Sequence, residues 1–245
     1  DGLAAQLPTL LDDVTAEVDS GAVSDELYDR TNEAGGDVYD QWVAHTVLFD
    51  SPQINQSMDT LNGWMRNPDY VNAGFGNVAT IATTAFQDAG KPILDAKCGM
   101  LQQASFYAAQ WPTFKADAKV AEDGDVFAFF LPQMDASVAA NPVVGGGEFT
   151  TAFSDRPEVQ AVQTYLSSPE YATARAAQPG GWVSANSGVP LDTYQDPISK
   201  LSAQYLTDPN GVFRFDASDL MPAAVGAGAE WTQMTAWFGE NKPTK

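Results

Sequence analysis

"NPVVGGGEFTTAFSDRPEVQAVQTYL", residues 141–166, sets three glycines between an apolar run and a run of β-branched and aromatic residues. The second run, EFTTAF at 148–153, predicts a strand, because such side chains pack well on a pleated sheet. The glycines at 145–147 then form a hinge or bulge, or they let the backbone come close to a ligand. Both interpretations stay open on these residues. The two interpretations together predict that at least one of the three glycines has a positive φ or approaches a ligand closely.

The glycines do not fit a phosphate-binding loop. Such a loop leads into the N-terminus of a helix and usually carries Lys and Ser or Thr. Here the glycines lead into the predicted strand, and Glu148 follows them with a carboxylate that would repel phosphate. The G-x-G-x-x-G spacing of dinucleotide sites is also absent.

A helix is predicted after this strand. Asp155 can cap its N-terminus, Glu158 completes a capping box three residues later, and Pro157 suits the first turn. Apolar residues at helical spacing form its inner stripe: Val159, Val162 and Leu166. Ser168 and the proline after it repeat the start signal for a second helix.

Elsewhere the patterns of strands and helices mix without a repeat. Ser51-Pro52 predicts a helix start, and the helix continues through residue 67. Its apolar face comprises Ile54, Met58, Leu61 and Met65. DVFAFFLP at 125–132 predicts a buried strand, residues 76–90 predict a strand leading into a helix, and the first thirty residues predict short acidic helices. The mixture predicts an α/β fold class.

The composition excludes several classes of function. The 245 residues include 32 acidic and 12 basic side chains, and the net charge of −20 disfavours nucleic acid and anionic lipid as partners. No run approaches the roughly 20 apolar residues that span a bilayer. The opening DGLAAQLPTL lacks the features of a secretory signal. We therefore expect a soluble chain, or the mature or trimmed form of something larger.

Cys98 and His45 are the only cysteine and the only histidine. The chain therefore cannot form an intrachain disulfide or a His/Cys zinc site, and no G-x-S-x-G motif accompanies His45. Cys98 is expected to be a buried, small apolar residue. We predict no metal, no cofactor and no catalytic residue.

Three segments place aromatic rings beside small or polar residues. They are QQASFYAAQWP at 102–112, QPGGWVSAN at 178–186 and SDLMPAAVGAGAEWTQMTAWF at 218–238. A ring can cover the C–H face of a sugar while amides and carboxylates take its hydroxyls. A neutral polyol such as a sugar is therefore the predicted ligand class.

Several of these motifs resemble bacterial ABC-transporter solute-binding proteins of the maltose-binding type. Met221-Pro222 precedes Trp231 in LMPAAVGAGAEW as the family's Met-Pro pair precedes the tryptophan that stacks on the sugar. Phe106 matches an aromatic residue that a strand delivers to the family's cleft. GGGEF, GGWVSAN and FRFDASDLMPAAVG resemble the actinobacterial α-glucoside-binding members above all. The resemblance covers roughly residues 35–239.

The resemblance implies a type II periplasmic-binding-protein-like fold, with mixed sheets flanked by helices. The two-lobed form is incomplete, because the family's opening strand-helix-strand lobe has no counterpart here. Residues 1–34 form an acidic helical lead, and 35–125 form a segment of the substrate-binding lobe. Residues 126–170 supply the crossover strand, the glycine loop and helices of the other lobe. Residues 171–245 form a return segment that carries the GGW and DLMP motifs.

The function implied by the resemblance is extracytoplasmic binding of α-glucosides or related oligosaccharides for an ABC importer, without covalent chemistry. The implied partners are a neutral oligosaccharide and membrane permease subunits. The protein is expected to be monomeric and either periplasmic or anchored at the cell surface as a lipoprotein. The residues expected to contact the sugar are Trp231, Phe106, Gly146, Gly147, Glu148, Trp182, Asp219 and Gln103. Trp237 is assigned to packing.

Two alternatives stay open. A glycoside hydrolase would use two carboxylates as acid and base, and Glu148 and Asp219 would be the candidates. An interaction or scaffold domain with a truncated form of the same fold would bind no sugar. Release of reducing sugar would identify the hydrolase, and calorimetric titration with sugars would separate the scaffold from the receptor.

Overall fold

A computed structural model describes residues 16–17, 36–71, 76–131 and 141–239. Its α-helices are short and follow one another along the chain: α1 Gly36–Val43, α2 Pro52–Met65, α3 Lys91–Leu94, α4 Trp111–Phe114, α5 Pro157–Leu166, α6 Pro169–Ala176, α7 Pro197–Leu206, α8 Ala217–Leu220 and α9 Trp231–Gly239. Turns of 3-10 helix occupy Val78–Ala82, Ser105–Ala109 and Leu191–Thr193. A π-helix, Ala224–Glu230, leads directly into α9.

The sheets in the described residues are two pairs of short strands. β1 (Ala16–Glu17) runs parallel to β2 (Met100–Leu101), with residue 16 opposite residue 100. β3 (Asn141–Gly145) lies beside β4 (Gly211–Phe215). The described chain is thus helix-rich with small sheets, which is compatible with the predicted α/β class.

The chain folds as two compact units. The first comprises Asp1–Gln103 and Arg214–Lys245, and the second comprises Ala104–Phe213. In the first unit α9 packs on the 3-10 helix 78–82, and the guanidinium of Arg66 lies 4.8 Å from the centre of the Trp237 ring. The largest buried side chains of this unit include Tyr39, Trp42, Ile54, Leu61, Met65, Trp237 and Phe238. Trp237 is therefore a packing residue, as predicted, and Cys98 is buried, as predicted.

The second unit has its own small core between α6 and α7. Its buried residues are Ala172, Ala176, Val189, Tyr194 and Ala203, with Trp182, Val183 and Leu191 packed against them. The N–H of Ser184 donates to the hydroxyl of Tyr194 over 3.1 Å, which ties the 182–191 loop to this core. Phe130 stacks on Tyr205 of α7, with ring centres 3.8 Å apart.

The returning segment of the first unit is attached to α1. Arg214 donates from Nε and Nη2 to the two carboxylate oxygens of Asp40 over 2.7 and 2.9 Å. The hydroxyl of the buried Tyr39 donates to the carbonyl of Phe215. The Asp40 carboxylate raises the pKa of the Arg214 guanidinium, chiefly through the hydrogen bond between these two side chains. Residues 174 positions apart in sequence are thus held together.

Two predicted helix starts are confirmed. Ile54 N–H donates to Ser51 Oγ over 3.4 Å, and Pro52 opens α2. Tyr171 N–H donates to Ser168 Oγ over 3.3 Å at the start of α6. Both are serine N-caps that satisfy an otherwise unpaired amide of the first turn.

The predicted cap at Asp155 is wrong, although α5 begins close to it at Pro157. The N-cap position is Arg156, whose side chain makes no capping hydrogen bond. Asp155 instead accepts a hydrogen bond from the side-chain amide of Gln160. The proline occupies the first turn and therefore sets the helix start, which places Asp155 one residue too early to cap it.

Three predicted strands are wrong. In DVFAFFLP, Val126 forms one isolated bridge with Val120, while the described residues after it, 127–131, belong to no strand. EFTTAF at 148–153 also belongs to no strand. Both sequences favour a sheet, but a strand needs a neighbouring edge, and the described residues place none beside them.

The third wrong strand lies within 76–90. Here Ala79 N–H donates to Asn77 Oδ1 over 2.9 Å, and this cap opens the 3-10 helix 78–82 instead. The helices predicted in the first thirty residues lie almost wholly outside the described residues.

The close contact of α8 with the π-helix yields a stability prediction. A Cβ on Gly226 would lie 2.1 Å from the carbonyl oxygen of Ser218. Gly226→Ala must therefore push the two segments apart, and we expect it to cost about 1–3 kcal/mol of unfolding free energy. Urea denaturation measures this cost.

Gly63→Ala is the matched control. It lies inside α2, and a Cβ there meets nothing within 4 Å. The substitution should stabilise the protein by about 0.5–1 kcal/mol, because glycine is a poor helix former. Equal stability of the two variants would contradict the packing of Gly226 on α8.

Candidate functional site

The residues predicted to contact sugar are divided between the two units. Gln103, Asp219 and Trp231 belong to the first unit, and Phe106, Gly146, Gly147, Glu148 and Trp182 belong to the second. The structure shows how each unit positions its own members.

In the first unit, Trp231 is the first residue of α9 and 43% of its surface is exposed. The π-helix before it, AVGAGAE, carries mostly small side chains. Farther along α9, Met234, Trp237 and Phe238 are buried. The helix is therefore anchored in the core beyond its first turn, while its first residue faces solvent.

Asp219 lies on α8 with its carboxylate exposed. Asp216 caps this helix, because its Oδ1 accepts hydrogen bonds from the N–H and the hydroxyl of Ser218, both over 2.7 Å. Gly226 of the π-helix packs directly on the Ser218 backbone. The cap and the glycine together fix α8, and with it Asp219, against the segment that leads to Trp231. Gln103 is half-buried at the end of the first stretch of this unit.

In the second unit, the GGW turn lies against the segment that carries Phe106. Gly181 has a φ of +74° and is buried, and a Cβ there would lie 2.6 Å from the carbonyl oxygen of Ser105 and 3.2 Å from the Cα of Phe106. Only glycine combines this φ with such a close approach. The turn therefore brings Trp182 next to the 3-10 helix 105–109, on which Phe106 is 47% exposed.

Trp182 has a packing role that the sequence did not predict. Its ring packs against the small core of the second unit, and the guanidinium of Arg175 lies 5.5 Å from the ring centre. Such a cation–π contact helps to hold the ring in one orientation. Trp182 is half-buried, so any ligand contact would use only the part of the ring that these neighbours leave open.

The glycine loop differs from the prediction in where it leads. Gly145 ends β3, and Gly146 and Gly147 after it lead into no strand. None of the three glycines has a positive φ, so a close approach to a ligand is the alternative that stays a prediction. A Cβ on Gly145 would lie 3.0 Å from the ring of Phe213, so this glycine passes close to that side chain. Gly146, Gly147 and Glu148 lie exposed beyond it.

A shallow surface hollow of about 510 Å³ lies beside Glu148. Its lining combines an aromatic ring, a carboxylate, amides and hydroxyls: Glu148, Phe149, Thr150, Gln160, Gln163, Thr164, Leu166 and Ser167. The side-chain amide of Gln163 donates to the carbonyl of Thr150 over 3.3 Å, which ties the loop to α5. These polar residues of α5 are not among the residues predicted from the sequence, although Gln160, Gln163 and Thr164 follow the i, i+3, i+4 spacing of one helix face.

The described residues contain no group of three or more His, Cys, Asp or Glu side chains placed to hold a metal ion. Within the same residues, every helix is too short or too polar to cross a bilayer.

The GGW turn yields a second prediction. Gly181→Ala should destabilise the protein by about 1–3 kcal/mol, because its Cβ would clash with the Ser105 carbonyl while its φ is also strained. Gly180→Ala is the control, since Gly180 also has a positive φ, +122°, but a Cβ there meets nothing within 4 Å. Thermal and urea unfolding should show the larger loss for Gly181→Ala. The reverse order would refute the contact with residues 105 and 106.

Two curated relatives match the chain. AglE of Rhizobium meliloti (strain 1021), an alpha-glucosides-binding periplasmic protein, is 31% identical over 217 residues, which are 88% of this chain and 45% of the relative. GgtB of Synechocystis sp. (strain ATCC 27184 / PCC 6803 / Kazusa), an osmoprotective compounds-binding protein, is 30% identical over 203 residues, which are 82% of this chain and 45% of the relative. The chain thus spans about half the length of the curated relatives it matches.

No family model matches the chain, and neither does any solved structure. The two relatives are both binding proteins, and each match extends over most of this chain. The comparisons therefore confirm that the chain resembles the bacterial solute-binding proteins.

Proposed function

We propose that the chain belongs to the extracytoplasmic substrate-binding component of an ABC importer and takes part in binding α-glucosides or related neutral oligosaccharides. The observation that carries the proposal is the likeness to AglE, which extends over 88% of the chain. The component would be a binding protein that performs no covalent chemistry. Its partners would be the sugar and the permease subunits, and the receptor would be a monomer.

The exposed aromatic residues support a sugar as the ligand. Trp231 and Phe106 each keep close to half of their surface in solvent, although large aromatic side chains gain much from burial. In the sequence, each stands beside small or polar residues. A flat ring of this kind can cover the C–H face of a pyranose.

The polar candidates supply the complementary hydrogen bonds. The exposed carboxylates of Glu148 and Asp219 are acceptors for sugar hydroxyls, and the amide of Gln103 can both donate and accept. In the complete protein, two lobes would close around the ligand by a hinge motion and present the closed form to the permease. Carboxylates beside a sugar need no hydrolytic role, since hydrogen bonding alone accounts for their presence.

GgtB favours a second candidate ligand, an osmoprotective compound. Some osmoprotectants carry a quaternary ammonium group, which aromatic rings bind through cation–π attraction. Calorimetric titration with maltose, trehalose and glycine betaine distinguishes the candidates. Heat with a sugar supports the main proposal, heat with betaine alone supports the second candidate, and no heat with any of them supports a scaffold that binds no sugar.

Sugar binding should depend little on salt. A neutral ligand has no net charge to be screened, whereas a charged ligand would feel screening over a Debye length of about 10 Å at 0.1 M salt. Titration of maltose or trehalose at low and high sodium chloride should give dissociation constants within about twofold of each other. A steep loss of affinity with added salt would contradict a neutral ligand.

Trp231→Ala tests the predicted stacking platform. Loss of an aromatic platform costs about 1–3 kcal/mol by analogy with stacking at other aromatic sites, which is roughly a 5- to 150-fold loss of affinity. Folding should be nearly unchanged, because much of the ring is exposed. Titration with the sugar that binds the wild-type chain measures the affinity, and urea denaturation measures the stability.

Tyr70→Ala is the matched control for this test. Tyr70 is 42% exposed, lies in the same unit and is outside the predicted site. Its removal should leave sugar affinity unchanged. If Trp231→Ala binds sugar as well as the wild type, or unfolds the unit, Trp231 is a packing residue and the assignment fails.

A further inference from the structure

The hollow beside Glu148 has walls that hydrogen bonds hold in place. On one side, the side-chain amide of Gln163 holds the loop by donating to the carbonyl of Thr150. At the end of α5, the side-chain amide of Asn186 donates to the carbonyl of Ser167 over 2.8 Å. The hollow therefore has its shape before a ligand arrives, and such preorganisation lowers the cost of binding.

The hydroxyl groups of the hollow can act only as acceptors toward a ligand. The hydroxyl of Thr164 donates to the carbonyl of Gln160 over 2.8 Å, and the hydroxyl of Ser167 donates to the carbonyl of Thr164 over 3.0 Å. Because a hydroxyl has one hydrogen, each oxygen then offers a ligand only its lone pairs. Glu148 adds a carboxylate, and the described lining of the hollow includes no lysine or arginine. The hollow therefore fits a ligand rich in donors and repels an anion.

Two side-chain amides supply the complementary donors. The amide nitrogen of Gln160 donates to Oδ1 of Asp155, and the amide nitrogen of Gln163 makes the bond to the loop. Each amide nitrogen carries two hydrogens, so these bonds leave one hydrogen of each amide for another acceptor. The hollow can thus accept hydrogen bonds at several oxygens and donate at two nitrogens, which suits the hydroxyls of a polyol.

The apolar part of the lining suits the C–H face of a sugar. Phe149 lines the hollow with 75% of its surface exposed, and the half-buried Leu166 lines it from α5. An aromatic ring beside polar groups can cover an apolar sugar face while its neighbours bind the hydroxyls. A quaternary ammonium ion could also lie on the ring, but it has no N–H or O–H to donate and would leave the acceptors unused.

Glu148 connects the hollow to the predicted sugar contacts, because it belongs to both sets of residues. We propose that the hollow is a subsite for a further glycosyl unit, so that the chain binds longer α-linked oligosaccharides more tightly than a disaccharide. The inference rests on the proposed function, since it gives a place to part of the same sugar ligand. The volume of about 510 Å³ lies within the range of roughly 300–1,000 Å³ that is typical of small-molecule sites.

Calorimetric titration of the 245-residue chain with maltose and with maltotetraose tests the subsite. Both sugars are neutral and α-linked, so they differ in length alone. Maltotetraose should bind about five- to tenfold more tightly, because a shallow hollow adds the equivalent of one or two hydrogen bonds.

Phe149→Ala and Thr164→Val should each remove most of this preference while the affinity for maltose stays at the wild-type value. Both side chains are exposed, so the variants should keep the wild-type unfolding midpoint. Trp231→Ala should behave differently and weaken the binding of both sugars by the same factor. Selective loss of the longer sugar is thus the signature of the subsite.

Each variant has a matched control. Phe153→Ala removes a ring from the same loop that is 97% exposed and does not line the hollow. Thr60→Val removes a hydroxyl that donates to the carbonyl of Gln56 over 3.0 Å, the same bond within a helix that Thr164 makes, but it lies in the first unit. Both controls should keep the preference for maltotetraose.

The possible results separate the subsite from the proposed function. Binding of maltose without a preference for maltotetraose would overturn the subsite and leave the proposed function standing, and so would a preference that survives in Phe149→Ala and Thr164→Val. Absence of heat with both sugars would overturn the proposed function and the subsite with it. If glycine betaine binds and Phe149→Ala abolishes its binding, the hollow is a cation site and the inference is wrong.

Discussion

The first unit depends on joining two stretches of chain that are far apart in sequence. Residues up to 103 and residues from 214 onward must meet although the whole second unit separates them in sequence, and closing so long a loop costs conformational entropy. Asp40 and Arg214 meet in a two-pronged ion pair, next to the hydrogen bond from Tyr39 to Phe215. Partly exposed ion pairs stabilise little, so these contacts mainly select the position of the returning segment. Burial of α9 then supplies the favourable free energy.

The positions of the candidate site residues depend on this returning segment and on two glycines. Asp219 and Trp231 both lie on the returning segment, and Gly226 sets the approach of α8 to the π-helix between them. Gly181 has the same function in the second unit, where it lets the GGW turn lie on the backbone that carries Phe106. In both units a close backbone contact lies near the segment that carries the aromatic residue, and that residue stays partly exposed.

The sequence predicted the features that local chemistry decides. A serine followed by proline caps a helix through atoms within three residues, so the starts at Ser51 and Ser168 follow from sequence alone. Strands depend on partners elsewhere, so DVFAFFLP and EFTTAF were mispredicted despite suitable side chains. Trp231 and Phe106 are partly exposed, and their contact with a sugar stays a prediction. The packing of Trp182 depends on tertiary contacts that no short motif encodes.

The mispredicted strand EFTTAF and the helix α5 that follows it both have apolar patterns that the described residues do not fully bury. Apolar periodicity in a sequence records the surroundings in which a segment is stable, because hydrophobic burial is the main favourable term in folding. In α2 the same type of periodicity agrees with burial, since Ile54, Leu61 and Met65 are all buried by the first unit. In α5 the periodicity is equally regular, yet no residue is buried. An apolar pattern therefore records a tendency towards burial, and the tertiary contacts of the segment decide how far that tendency is met.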